Sequence, residues 1–299
     1  MRHFMALLAA FLVASLACGG TNTQGQAADP GAIIVRCDDI GMCHTVNSTF
    51  AEVLKTGLPV SASVMFACPW YQEAVELLKQ APNVSVGVHL TLNAEWKNYR
   101  WGPVAGRSAV PSLVDSEGYF FPSRDLFFAH DPSLKEVELE LRAQIERAVH
   151  SGLHIDYVDY HMGTAVSTPE LRSIVEALAR EFHLGISRYF GETDLEGWYP
   201  VPPEAKGDTV LEKLKGVQPG SIRLMVFHIG SETPEMSALV DMNSFGLKPV
   251  SRHRAAEFRA LTSPGFIAAV RRLGIGMLTY RDVIQRVGLD HMKAPAGEE

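Results

Sequence analysis

From residue 31 onward the chain alternates short apolar or β-branched runs with stretches in which apolar residues return every three or four positions. Residues 33–37 form a near-continuous apolar run, the pattern of a strand covered on both faces. Residues 45–56 place Val46, Phe50, Val53 and Leu54 on one side of a helix, with Gly57 at its stop. A second strand is predicted over 60–67, a helix opened by Pro69 and running to about 80, and a third strand over 84–92. An irregular stretch over 93–132 interrupts the rhythm, after which Ser133 caps a charged helix that reaches Ser151 and ends at Gly152. Further strands are predicted over 155–160, 184–190, 222–227 and 275–279. Helices are predicted over 168–182, 254–272 (one or two) and 282–287, and a second irregular stretch runs from the fifth strand to Gly220.

Strands separated by helices imply right-handed βαβ units and a parallel sheet. Seven of them fit either a (β/α) barrel or an open doubly wound sheet. A dinucleotide fold would carry a glycine-rich turn after the first strand. Here that turn reads Asp38-Asp39-Ile40-Gly41-Met42-Cys43, and two adjacent carboxylates would repel a pyrophosphate. The expected fold is therefore a distorted seven-stranded parallel (β/α) barrel, a single α/β domain over residues 31–290 with a short tail over 291–299.

Ahead of that domain, residues 4–14 are continuously apolar behind a weakly basic start, too short to span a bilayer and right for a signal-peptide core. Ser15-Leu16-Ala17-Cys18 resembles a bacterial lipobox, so residues 1–17 read as a signal peptide, Cys18 as a lipid-attachment site and residues 18–30 as a flexible tether. Ordinary secretion with cleavage further on is the other reading. Either way the protein is expected in the cell envelope or outside the cell, touching a membrane only through such an anchor; a homodimer is left open. The 299 residues carry a formal charge of −7 with no run of Lys or Arg, which excludes a nucleic-acid partner. Cys37, Cys43 and Cys68 match no zinc-ribbon spacing and read as small buried hydrophobes.

Packing does not explain where the polar residues fall. Asp38 and Asp39 end the first predicted strand, His89 lies late in the third, His161 ends the fourth and His228 ends the sixth. In parallel α/β folds the C-terminal strand ends converge on one face, so four strands deliver two Asp and three His to one rim. One carboxylate with two imidazoles leaves open positions on a divalent ion, a second carboxylate can deprotonate a water, and a further imidazole can protonate a leaving group. Together these parts describe metal-assisted hydrolysis.

At the same positions the sequence resembles the YdjC-like carbohydrate deacetylases. Ile34-Val35-Arg36-Cys37-Asp38-Asp39-Ile40-Gly41 is similar to the family's apolar strand ending in Asp-Asp-Phe-Gly. Gly87-Val88-His89-Leu90-Thr91-Leu92 and Asp159-Tyr160-His161-Met162-Gly163-Thr164 resemble its second and third blocks. Phe227-His228 and Arg254-Ala255-Ala256-Glu257 also fit, while Ile40 and Tyr160 depart from the usual pattern. The resemblance implies a distorted barrel that removes N-acetyl groups from amino sugars or oligosaccharides with one divalent metal ion, Mg or Zn. Asp39, His89 and His161 would hold the metal, Asp38 would be the base and His228 the proton donor.

Aromatic residues crowd the irregular stretches, and Trp96 and Trp101 are the candidates for stacking on a sugar ring, with pinning of the loops as the other reading. The competing functions are a different barrel metal hydrolase (amidohydrolase or phosphoesterase) and a non-catalytic, lipid-anchored glycan-binding protein. The His-x-His pair of most amidohydrolase barrels is missing from the first strand, and a mere binder would not need Asp38. The export reading is checked by mass spectrometry of native material: the mature chain is expected to begin at a lipid-modified Cys18. An intact Met1 in the cytoplasm would overturn both export routes.

Overall fold

The computed structural model describes residues 30–295; the candidate leader and Cys18 lie outside them. Eight strands form one sheet among the described residues: β1 (Ala32–Ile40), β2 (Ser61–Val64), β3 (Ser85–Leu90), β4 (Tyr157–Tyr160), β5 (Gly185–Ile186), β6 (Thr193–Asp194), β7 (Ile222–Phe227) and β8 (Gly276–Leu278). Seven stand where the apolar runs predict them. The eighth, β6, has two residues inside the stretch read as irregular, too short to leave a hydrophobic period. The helices are α1 (His44–Lys55), α2 (Tyr71–Lys79), α3 (Arg124–Ala129), α4 (Leu134–His150), α5 (Pro169–Glu181), α6 (Lys206–Leu214), α7 (Pro234–Ser237), α8 (Val250–Thr262), α9 (Pro264–Arg272) and α10 (Tyr280–Val287). The two irregular stretches thus contain α3 and α6. Pro69 falls in the turn two residues before α2, and Ser133 takes the N-cap position of α4 without a side-chain cap bond.

Every strand pairing is parallel, in the order β5-β4-β3-β2-β1-β7-β6. The sheet curls into the expected distorted barrel and stays open between its two shortest strands. β1 is its axis. One edge of β1 pairs with β7 from Ala32 to Cys37; the other is shared, with β8 along Ala32–Ile34 and β2 along Arg36–Ile40. No helix among the described residues is long and apolar enough to cross a membrane.

Alternation along β1 divides the apolar interior in two. Ile33, Val35 and Cys37 belong to the large cluster beneath the helices, with Val46, Phe50 and Val53 of α1. Ala32 and Ile34 point the other way, into a small cluster with Tyr157, Leu224, Leu278, Tyr280 and Val283 that fills one end of the barrel. The first turn of α10 closes that end: the backbone N–H of Tyr280 donates to Ser61 Oγ and that of Arg281 to Ser85 Oγ, each at 3.1 Å. The inward positions that follow on β1, Arg36 and Asp38, are charged. The barrel is therefore apolar at its closed end and ionic at its mouth.

Tyr157 fits inside only because β3 has no side chain opposite it. A Cβ on Gly87 would stand 2.4 Å from the Tyr157 ring, which is held by tilted contact with the Tyr280 ring (centroids 4.3 Å apart) and by a 2.8 Å hydrogen bond between its hydroxyl and Ser63 Oγ. Gly87→Ala is expected to destabilise the fold by about 1–3 kcal/mol, the usual scale of overpacking. Urea denaturation measures it; unchanged stability would show that the ring is free to move.

Candidate active site

Adjacent residues on a regular strand point to opposite faces. Asp38 and Asp39 both reach the barrel mouth because β1 is irregular there. Its register with β2 shifts between Cys37 and Ile40, and Asp39 adopts the left-handed conformation with φ 63°. Such backbone costs about 1–3 kcal/mol in a non-glycine residue and persists only where the surroundings fix it. Arg254, arriving from α8, is that restraint: its Nη2 donates to Asp39 Oδ2 at 2.5 Å, and both groups are buried.

The two imidazoles come from neighbouring strands. His89 lies on β3 directly beside Asp159 of β4 in the parallel register, and its Nδ1 is 3.0 Å from Asp159 Oδ2. His161 follows β4, where the chain turns away through left-handed Met162 and Gly163. Its Nε2 is 3.0 Å from Glu95 Oε2. Each ring is thus oriented by a carboxylate on one nitrogen and turns the other towards Asp39. His89 Nε2 is 3.5 Å and His161 Nδ1 is 3.4 Å from the same oxygen, Asp39 Oδ1. That oxygen is buried and has no hydrogen-bond partner.

A buried, unpartnered carboxylate oxygen between two imidazole nitrogens fits a cation. Ligands about 2.1 Å from a shared tetrahedral ion stand roughly 3.4 Å apart, close to the separations found. A second triad, Asp38, His89 and Asp159, also brings its ligand atoms together. There the place of a cation is already filled by Arg36. Its Nε and Nη2 donate to both Asp38 oxygens at 2.7 Å, its Nε is 3.1 Å from Asp159 Oδ2, and its Nη1 donates to Ser187 Oγ.

Four buried carboxylates (Asp38, Asp39, Glu95 and Asp159) face two guanidinium groups, Arg36 and Arg254. The imidazoles make up the difference by holding protons. Burial alone would lower His89, but the charges of Asp159 and Asp38 and the hydrogen bond with Asp159 raise it to about 10. Burial would likewise lower His161, but Glu95 and Asp39 outweigh it and raise the ring to about 9. Burial would raise both aspartates of the pair. For Asp38 the charges of Arg36, His89 and His228 win, and for Asp39 those of Arg254 and the two imidazoles, so both lie below the usual carboxylate range.

Two cavities meet at this centre, one of about 1060 Å³ and one of about 490 Å³. Asp38 and His228 line both, whereas Asp39, His89 and His161 line only the smaller. His228, just past β7, is half-buried, and its ring meets Tyr199 edge-on at 5.5 Å. The two tryptophans lie deeper. Trp96 walls the smaller cavity at 3% exposure beneath the Arg254 guanidinium. Trp101 is packed behind, its ring 6.2 Å from His161 and its Nε1 donating to Asn93 O. The exposed aromatics on the rim are Tyr199 and Phe245, at 43% and 66% exposure. Cys37, Cys43 and Cys68 are buried and free.

The sequence reading gave no role to Arg36, Glu95, Asp159 or Arg254. A charged residue in an otherwise apolar strand was a signal for Arg36, and the two-residue spacing of Asp159 to His161 was one for Asp159. Glu95 follows β3 in a loop and obeys no period.

Fold and site together define an α/β-barrel protein with its polar centre at the C-terminal strand ends. Residues 32–272 match the family of YdjC-like proteins, and the chain belongs to that family. Curated relatives carry the name carbohydrate deacetylase. One from Enterococcus faecalis is 33% identical over 51% of this chain and 56% of its own length. One from Geobacillus stearothermophilus is 28% identical over 85% of this chain and 98% of its own. The chain spans little more than half the length of the first of these relatives. A solved Enterococcus faecalis structure, named for cellobiose-phosphate cleavage, superposes with a TM-score of 0.72 at 26% identity, covering 84% of this chain and 98% of that one.

The raised imidazoles give the metal-free protein a pH signature. Their folded values lie above the ordinary 6.5, so they contribute stability that is fully present below that pH and lost as pH rises towards 9–10. Denaturation midpoints of chelator-treated protein are therefore expected to fall across this window. A midpoint that rises through it would show the rings to be neutral.

Proposed function

We propose that this chain is a divalent-metal-dependent deacetylase of N-acetylated amino sugars or their oligosaccharides. The observation that carries the reading is the unpartnered Asp39 Oδ1, faced by His89 Nε2 and His161 Nδ1 at the wall of a cavity that Asp38 and His228 also line. Those three atoms would hold the ion, with Asp159, Glu95 and Arg254 fixing their directions. A divalent cation there, Mg or Zn, supplies Lewis acidity towards an acyl oxygen and acidifies a water.

The rest of the chemistry belongs to the chain. Asp38 takes the proton of the attacking water. Arg36 keeps that carboxylate ionised and aimed. The amine departs only with a proton added, and His228, on the rim of both cavities, is placed to give it. Tyr199 and Phe245 offer ring faces to a sugar at the mouth. The names of the curated relatives support an acetylated carbohydrate as substrate. The apolar segment ahead of Cys18 supports action on envelope or extracellular glycans.

Acetate release from N-acetylglucosamine oligomers by metal-loaded protein tests the reading. His89→Ala and His161→Ala are expected to lose bound metal and activity together. Asp38→Asn is expected to keep the metal while turnover falls by roughly a hundredfold or more, the scale of general-base loss. Full metal occupancy in both histidine variants would remove the site. Inactivity on every N-acetyl sugar beside efficient cleavage of a phosphate or carboxylic ester would favour the other hydrolase reading.

A further inference from the structure

Lys206 has no place in the reaction, yet it is one of the largest fully buried side chains in the protein. It opens α6, and its ammonium group spends its three donors on Trp198 O at 2.8 Å, Tyr199 O at 2.7 Å and Glu257 Oε1 at 2.8 Å. The second oxygen of Glu257 accepts the backbone N–H of His228 at 2.8 Å. Glu257 is itself buried, at 1% exposure, and comes from α8 one turn after Arg254. One ion pair therefore joins the loop that carries Tyr199 to the residue that follows β7. The two side chains so placed, Tyr199 and His228, touch ring to ring at the rim of the site.

A buried ion pair is a poor way to gain stability, because the desolvation of both charges offsets their attraction. What it fixes is geometry. The His228 backbone lies just past the last ladder pair of β7, and Glu257 supplies the acceptor for its N–H, which fixes the point from which the imidazole projects. We propose that Lys206 and Glu257 are positioning residues that hold His228 and the Tyr199 wall over the reacting group, so that the imidazole meets the departing amine. The inference rests on the deacetylase reading for the purpose of the clamp, but not for its existence. Arg254 and Glu257 thus divide the work of α8 between them, one fixing Asp39 and the other His228.

The test uses Lys206→Met, Glu257→Gln and the double variant, which removes both charges and leaves neither unpaired. Hydrogen exchange reads the clamp without reference to activity. Exchange over 196–202 and 226–230 is expected to quicken in the double variant, with 85–90 on β3 unchanged; no change at either segment overturns the clamp. Kinetics read its purpose on two substrates, an N-acetylglucosamine oligomer and an aryl acetate, whose leaving group needs no proton. Turnover of the amide is expected to fall tenfold or more, with metal content and aryl acetate cleavage within about twofold of the parent, since small misplacements of a reacting group carry large rate costs. Parallel loss on both substrates, or an unchanged amide rate in the folded double variant, overturns the positioning role. A parent protein that cleaves the aryl acetate and no N-acetyl sugar defeats the deacetylase reading instead, and the exchange data then decide the clamp by themselves.

Discussion

Negative charge is packed into the mouth of this barrel at a density that its guanidinium groups alone do not neutralise. Asp38, Asp39, Glu95 and Asp159 are buried within reach of one another, and Arg36 and Arg254 cancel only half of their charge. Unpaired buried charge costs several kcal/mol per ion, so something positive must complete the set. Two protons on His89 and His161 can do so, and so can one divalent cation. The proposed metal site thus follows from a balance of charge as much as from the identity of the ligands. Metal would enter by exchanging with protons, which ties occupancy to pH.

The sheet exists in a form that makes this crowding possible. Parallel register sets His89 beside Asp159, so one proposed ligand and the group that orients it are supplied by neighbouring strands at no cost in loop order. The irregularity of β1 does the opposite, spending strain to bring two successive carboxylates to one side. Arg254 and Arg36 separate their roles. Asp39 is left with one free oxygen directed at the imidazoles, while Asp38 has both oxygens held by a guanidinium and stays ionised beside them. Through their partners alone, two identical residues in sequence are fitted to the different proposed roles of ligand and base.

Much of this was legible beforehand. Apolar runs located seven strands, because a strand buried on both faces leaves a continuous signal, and the convergence of strand ends brought Asp38, Asp39, His89, His161 and His228 to one rim. What stayed hidden had short or aperiodic origins. β6 is two residues long, α3 and α6 lie in stretches whose loops masked them, and Glu95 and Lys206 act through contacts with no sequence spacing. The aromatics of the loops admit two readings, stacking on a sugar or sealing a loop to the core. Trp96 and Trp101 are buried, with Trp96 walling the smaller cavity, whereas the exposed rings are Tyr199 and Phe245.

Anomalous diffraction from crystals soaked in a zinc salt would examine the charge balance at its centre. A single strong peak is expected in contact with Asp39 Oδ1, His89 Nε2 and His161 Nδ1, with Arg36 still bound to Asp38. A peak held instead by Asp38 and Asp159 with Arg36 displaced, or protein saturated with zinc elsewhere and no peak beside Asp39, would contradict it.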